Sequence, residues 1–470
     1  MLLLAAALAA FGGTYPWTTV PLVVLASAAA LVAPRATLRI GHSTRAFDLA
    51  VLAGLAGLLV QLVPWPAGLA AALSPASLRV RQALRLDQLA PGGAAPLSVD
   101  PAATSHALGL VVIALLAFWT ARHVFAMGGV RRFCRALTWL GAALVAVALL
   151  QRAVSPDRIY GIWPPTDPGA HPFGPFVNRN HFAGWLVMAC PVVAGYLIAH
   201  ARIHLVETRH WRERVDALAH SGGLRVAATL AAMAGTLVLT LSRSGLAGLG
   251  AAALVGWWVS RPRLAPSARS LGAAAALVSV ALLVVMTLVD VEGWAARFTS
   301  VLVARPIDRQ VIWRETLPMV RDFWLTGVGA GAYGTAMLLY QQTLVTMPHL
   351  GGGYAFFNQA HSQYLQVAAE GGLLLSVPAA AGLVALAWLG RARLAADRGE
   401  IFWIRAGAAA GLAGMAVQGV WETSLRMPAD AALAATLAAL LLHQRVVRPA
   451  HGPAPRGGPT RDDGAPGVPR

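Results

Sequence analysis

Apolar blocks recur along almost the whole of this chain, and their length limits the fold more than any other feature. A bilayer core about 30 Å thick is crossed by roughly 20 apolar residues in a helix, because every backbone polar group must be satisfied within the segment. Twelve blocks approach that length, at 2–13, 17–33, 47–65, 105–121, 136–154, 181–200, 226–241, 246–260, 271–289, 363–390, 401–420 and 429–444. The composition, 57% hydrophobic and only 12% charged, is foreign to a chain that folds in water. It excludes a secreted disulfide scaffold, a disordered chain and an ordinary cytosolic enzyme. The expected fold is an all-α polytopic membrane protein with about 12 transmembrane helices and one long, partly helical outward loop.

Charge sets the expected orientation. The 37 basic residues are all Arg, a usage in keeping with a GC-rich genome. The connections 34–46, 122–135, 201–225, 261–270 and 391–400, with the tail after 444, hold 23 Arg against 7 acids. The alternate set holds 12 against 10. Positive residues mark the cytoplasmic side, so both termini are expected there and the long segment 290–362 on the periplasmic side. The formal charge of +17 is spread over short loops rather than gathered in one groove, which argues against nucleic acid as a partner. Cys134 and Cys190 lie at or inside apolar blocks without ligand spacing, so neither a disulfide nor a metal site is expected. The N-terminus lacks the basic region of a cleavable signal. The chain thus divides into N-terminal transmembrane helices (1–154), a core (155–390) containing the loop 290–362, C-terminal transmembrane helices (391–444), and a tail (445–470) whose Pro, Gly and Arg cannot bury a core.

Four polar stretches stand out against this background. Phe176-Val177-Asn178-Arg179-Asn180-His181-Phe182 runs straight into a span, where Asn178 or Asn180 suits a helix cap. Leu241-Ser242-Arg243-Ser244-Gly245 places an arginine at an outward turn, against the positive-inside bias, and ionisable groups at membrane depth mark function. A guanidinium offers a permanent charge and a planar fork of donors that suits phosphate. In the segment 290–362 five arginines (Arg297, Arg305, Arg309, Arg314, Arg321) face five acids (Asp290, Glu292, Asp308, Glu315, Asp322), the balance of a folded element lying over the membrane. Arg309 and Trp313 stand four apart and share one helix face. Gly327-Val328-Gly329-Ala330-Gly331 precedes no GK[ST] and is not a P-loop.

The fourth stretch, Ala360-His361-Ser362-Gln363-Tyr364-Leu365-Gln366, leads to Glu370. On a helix Gln363, Gln366 and Glu370 form a polar stripe that must face protein or water. His361 and Glu370 lie nine positions apart, about 180° around and about 13 Å along a straight helix, so they cannot form a dyad there. His361, at the outer mouth, suits a general base near neutral pH. His171, His181 and His349 are also outward, and Glu370 alone among the charged residues is expected to lie deep.

Together these residues resemble the O-antigen ligase family, over about 170–380. The likeness rests on FVNRNHFAG entering a span, LSRSG between two spans, Arg309 with Trp313 and then Asp322-Phe-Trp-Leu-Thr-Gly-Val-Gly-Ala-Gly, and AHSQYL followed by Glu370-Gly371. The resemblance implies a metal-independent, inverting glycosyltransferase that acts at the periplasmic face of the bacterial inner membrane without a cofactor. It implies a glycan donor on undecaprenyl diphosphate and a glycolipid, polysaccharide or protein acceptor. By position, Arg243 and Arg309 would bind the diphosphate, with Arg314 as second choice, and His361 would accept the acceptor's proton. Asn178, Asn180, His181, Trp313, Gln363, Tyr364 and Glu370 would support the site. Where many members have Asn after the histidine, this chain has Ser362. A ligase, a polymerase of the same glycan and a protein O-oligosaccharyltransferase share the pattern. A secondary transporter fits the span count but would place its ionisable groups near the midplane.

Overall fold

The computed structural model describes residues 1–33, 42–86, 93–166, 170–205, 210–266, 268–270, 272, 309–347 and 353–444. The span expected at 271–289, residues 290–308 with Arg297 and Arg305, His349 and the tail 445–470 lie outside the described residues.

The chain is built from α1 (Leu2–Ala9), α2 (Thr19–Val32), α3 (Arg45–Leu62), α4 (Ala67–Leu73), α5 (Pro75–Ala83), α6 (Pro101–Ala126), α7 (Val130–Val154), α8 (Arg179–His204), α9 (Trp211–Ser221), α10 (Gly223–Leu239) and α11 (Arg243–Ser260), followed by α12 (Arg309–Asp322), α13 (Tyr333–Tyr340), α14 (Gln363–Ala396), α15 (Ile401–Gln418) and α16 (Pro428–Leu442). Two antiparallel pairs, Trp65–Pro66 with Ala94–Ala95 and Thr346–Met347 with Gly353–Tyr354, are the strands. Eleven of the twelve expected blocks fall on helices. Six of the described helices (α3, α6, α7, α8, α14 and α15) are long and apolar enough to cross a membrane, and a seventh results if α9 and α10, bent by 87°, count as one. This is a multi-pass membrane protein, and the expected count of twelve is reached only in part. α1 has eight residues, α2 and α16 fall short of a full crossing, and α11 is diluted by glycine and tryptophan.

α8 is the central helix. Its side chains from Phe182 to Val193 are almost all buried, among them Trp185, Leu186 and Met188 at 0% exposure. It crosses α15 at backbone contact: a side chain at Gly195 would drive into the carbonyl of Trp403, one at Gly407 into that of Pro191, and one at Gly411 would lie 2.6 Å from the Met188 oxygen. With no hydrophobic drive between helices in lipid, close approach of small residues supplies the packing. Gly407 and Gly411, four apart, make that face of α15, while Gly414 meets the backbone of Gly248 on α11. The register of Gly407 and Gly411 sets the end of α15 beside the start of α8.

A second core lies over that end. α5, α12, α13 and the segment around Val99 bury Val80, Ile312, Met319, Phe323, Tyr333 and Met337 against one another. Residues 65–86 and 93–100 therefore join α12 and α13 in one layer, tied by Arg79 to Asp322 at 3.3 Å and by the Thr335 hydroxyl donating to Asp100 at 2.8 Å. The described part of the long segment is partly helical, as expected.

The glycine run explains how that layer is joined to the bundle. α14 is broken at Gly372 (φ 51°, ψ −150°), which leaves backbone groups without helical partners. The loop 324–329 fills the break: Leu373 and Leu374 donate to the carbonyls of Trp324 and Leu325, and Val328 and Gly329 donate to those of Ala369 and Glu370. Fully buried Gln61, at the end of α3, completes the junction by donating to the carbonyls of Thr326 and Glu370 at 2.8 Å each and accepting from Ala330 N at 3.1 Å. Gly327-Val328-Gly329 is thus a close-approach loop, and no ligand is needed to account for its glycines.

Candidate active site

The site forms where the first turn of α8, the start of α12, the segment before α14 and the connection after α15 meet. After Gln418 the chain turns through Trp421 and Glu422, whose amides donate back to Gln418 O at 3.0 and 3.1 Å. Glu422 is fully buried. Its Oε1 accepts from Asn180 Nδ2 at 2.7 Å and is also paired with the Arg309 guanidinium. Its Oε2 faces His361 Nδ1 at 3.9 Å, an ion-pair separation rather than a hydrogen bond. Burial alone would push the Glu422 carboxyl up. The His361 imidazole, the Arg309 guanidinium and His181 outweigh burial and hold it below its ordinary value.

Local structure explains each placement. Asn178 is the helix cap, its side chain accepting from Asn180 N at 2.8 Å, so Asn180 is free to turn its amide to Glu422. The Gln418 amide donates to Asn180 O at 2.8 Å and locks the two elements together. Arg309 opens α12, and Trp313, one turn on, donates from Nε1 to Ala360 O at 3.0 Å. The pair expected to share one helix face therefore grips the site from two sides, Arg309 through Glu422 and Trp313 through the residue before His361.

His361 itself has φ +46°, a left-handed backbone uncommon for a residue with a side chain. The conformation is imposed from both sides: Gln366 Oε1 accepts from Ala360 N at 2.7 Å, Ser362 caps α14, and Gln363 N donates to Gly419 O at 2.7 Å. The expected polar stripe faces protein. Gln366 donates to Glu370 at 2.7 Å, and Arg426 lies 4.0 Å from the same carboxylate oxygen.

The structure thus brings Asn180, Arg309, Trp313, His361, Gln363 and Gln366 together. His181 is buried at 6% exposure within electrostatic reach of Glu422 and His361. Tyr364 is exposed and ties α14 to α15 through its hydroxyl, which donates to Ala416 O at 2.7 Å. Arg314 is exposed and lies off the face that α12 turns to the site. Arg243 is half-buried as the first residue of α11, after a turn in which Leu241 has φ +51°. That turn lies against the first turn of α8, with Gly245 packed on Ala183 so closely that a side chain would sit 2.7 Å from it.

Sequence reasoning missed Glu422, and Glu370, expected to lie deep, is one of several acids shielded inside the protein. Glu422 and Asp430 are fully buried, and Asp48 and Arg405 are 5% and 4% exposed. The signal was present: Trp421-Glu422-Thr423 puts an acid at the end of an apolar block, the same criterion that singled out Arg243. Among the described residues His181 Nε2, His361 Nδ1, Gln363 Oε1, Glu422 Oε2 and Ser424 Oγ are buried without a hydrogen-bond partner. Buried polar atoms are normally paired, so the junction is suited to a polar guest. No group of three or more His, Cys, Asp or Glu that could hold a metal ion occurs among the described residues.

A comparison with curated proteins gave no match. Residues 228–380, which carry Arg243, Arg309, Trp313 and His361, match the family model described as O-antigen ligase, and this match supports the O-antigen ligase resemblance.

Proposed function

We propose that the protein is an O-antigen ligase-like glycosyltransferase of the bacterial inner membrane. It moves a glycan from undecaprenyl diphosphate to an acceptor hydroxyl of a glycolipid, polysaccharide or protein at the periplasmic face. The observation that carries this reading is the meeting of Arg309 and His361 on buried Glu422. A permanent cation suited to a diphosphate and a histidine suited to a proton are held by one anchor.

In the reaction, the acceptor oxygen attacks the anomeric carbon and forms the new glycosidic bond. The bond from that carbon to the phosphate oxygen breaks, and its electron pair leaves with undecaprenyl diphosphate. The hydroxyl proton passes to His361. The charge that gathers on the leaving diphosphate needs prepositioned donors, and Arg309 and Arg243 are assigned that role; Arg314, turned away from the site, is not. A single displacement from the face opposite the leaving group inverts the anomeric centre.

The test is to purify the wild type and the Arg243→Ala, Arg309→Ala and His361→Ala variants and supply a lipid-diphosphate-linked oligosaccharide with candidate acceptors in EDTA. Consumption of donor by the wild type and its loss in the folded variants is the expected result. Product size then separates a single ligation from a polymer ladder. A wild type that neither binds nor consumes any donor overturns the proposal and favours a transporter.

A further inference from the structure

The connection 420–427 lies outside the family match, yet it supplies the residue on which the site is assembled. We infer that Glu422 is a positioning residue for the transfer, fixing Arg309 with one carboxylate oxygen and the ring of His361 with the other; the inference rests on the reaction proposed above. A carboxylate at 0% exposure is costly to bury unless it is paired and hydrogen-bonded. Stability alone gives no reason to keep one there, since apolar packing of the same volume serves as well or better.

The two oxygens have different tasks. Oε1 is taken by Arg309 and Asn180, whereas Oε2 makes no hydrogen bond and faces His361 Nδ1. The His361 side chain is 29% exposed, and Nδ1 is its buried nitrogen. A carboxylate that accepts from Nδ1–H selects the tautomer in which Nε2 carries the lone pair. Nε2 is then the atom that takes the acceptor's proton, and the imidazolium that results is stabilised by the charge behind it. The 3.9 Å separation is of the kind that closes when a substrate is bound. His181 on α8, Arg309 on α12 and Arg426 after α15 are the other cationic or titratable groups around the pair.

The same carboxylate sets the register of three distant stretches. Asn180, Arg309 and His361 lie 242, 113 and 61 residues from Glu422, so no local structure fixes them relative to one another. A misplaced Arg309 would weaken donor binding, whereas a misoriented His361 would slow the chemical step with donor already bound. The two failures have different kinetic signatures.

The experiment compares wild type, Glu422→Gln, Glu422→Asp and Arg309→Lys with a lipid-diphosphate-linked oligosaccharide, with thermal melting in detergent measured on each. Glu422→Gln keeps the shape, and its remaining oxygen can still accept from both Asn180 and Arg309 while the acceptor facing His361 is lost, so it is expected to fold, with kcat lowered about 100-fold and donor KM changed less than about threefold. Glu422→Asp keeps the charge and is expected to recover about tenfold of that loss at the same melting temperature. Arg309→Lys is expected to raise donor KM instead. Glu422→Gln turning over at the wild-type rate overturns the inference, as does a loss in both Glu422 variants that merely tracks their melting temperatures. A wild type without transfer overturns the underlying reaction, an outcome read before any variant is compared.

Discussion

Replacing Arg309 with Met should destabilise the protein in a manner that depends on pH. The substitution keeps most of the side-chain volume and leaves Glu422, at 0% exposure, with Asn180 and His361 as its remaining partners. Breaking a buried pair from one side costs about 3–5 kcal/mol. The cost has a ceiling, because a stranded carboxylate can take up a proton. Neutralising it at pH 7 from an ordinary value near 4.3 costs about 3.7 kcal/mol at 1.36 kcal/mol per unit. Arg309 is 33% exposed, so water screens part of the interaction, and about 2 kcal/mol is the expected loss.

The sign follows from the shifts. In the wild type Glu422 lies below its ordinary value, so its contribution is complete above about pH 4.3 and fades in stronger acid. Without Arg309 burial gains weight, the carboxyl moves up, and the variant loses stability as pH rises, by at most about 1.4 kcal/mol per unit. Unfolding in detergent micelles between pH 5 and 8 should show the gap between wild type and variant widening with pH. Adding Glu422→Gln should close most of it. A gap that is constant with pH, or one that the second substitution enlarges, would refute the reasoning.

Three further outcomes follow from the geometry. Gly372→Ala should cost more than about 2 kcal/mol in the same assay, since a side chain there meets the backbone of Gly327, Leu325 and Trp324 at 2.7 Å and φ is +51°. Trp313→Phe removes one hydrogen bond to Ala360 O, worth about 1 kcal/mol, and should slow transfer by about fivefold if the whole loss falls on the placement of His361. Transfer should persist in EDTA and yield a product of inverted anomeric configuration, checked by NMR; a chelator-sensitive rate would contradict assignment of the leaving-group charge to arginines.

The sequence made the helices legible because apolar length is a one-dimensional property, and Asn178, Arg309, Trp313 and His361 because each stands in a short polar run against an apolar background. Two things escaped it. Residues 65–86 and 93–100 join the layer over the bundle through contacts 200 and more positions away, such as Arg79 with Asp322 and Asp100 with Thr335. Glu422 opens a short polar run after an apolar block, but its importance comes from partners 61 to 242 residues distant, which no local pattern displays. Arg314 shows the converse: its sequence neighbourhood matches that of Arg309, but five residues turn it to another side of α12, where it is exposed. The run Gly327-Val328-Gly329-Ala330-Gly331 could be excluded as a P-loop from sequence, but what its glycines approach is set by distant stretches: Gly327 meets the backbone at Glu370, Gly329 meets Ser98, and Gly331 meets Ala103.

The most direct test of the central claim is a rapid-quench measurement of carrier diphosphate release from pre-bound lipid-linked oligosaccharide after addition of acceptor, comparing wild type with folded His361→Ala. If His361 takes the acceptor's proton, the variant should bind donor as the wild type does and release the diphosphate more slowly by about 100-fold or more. Release at the wild-type rate from His361→Ala would contradict the account.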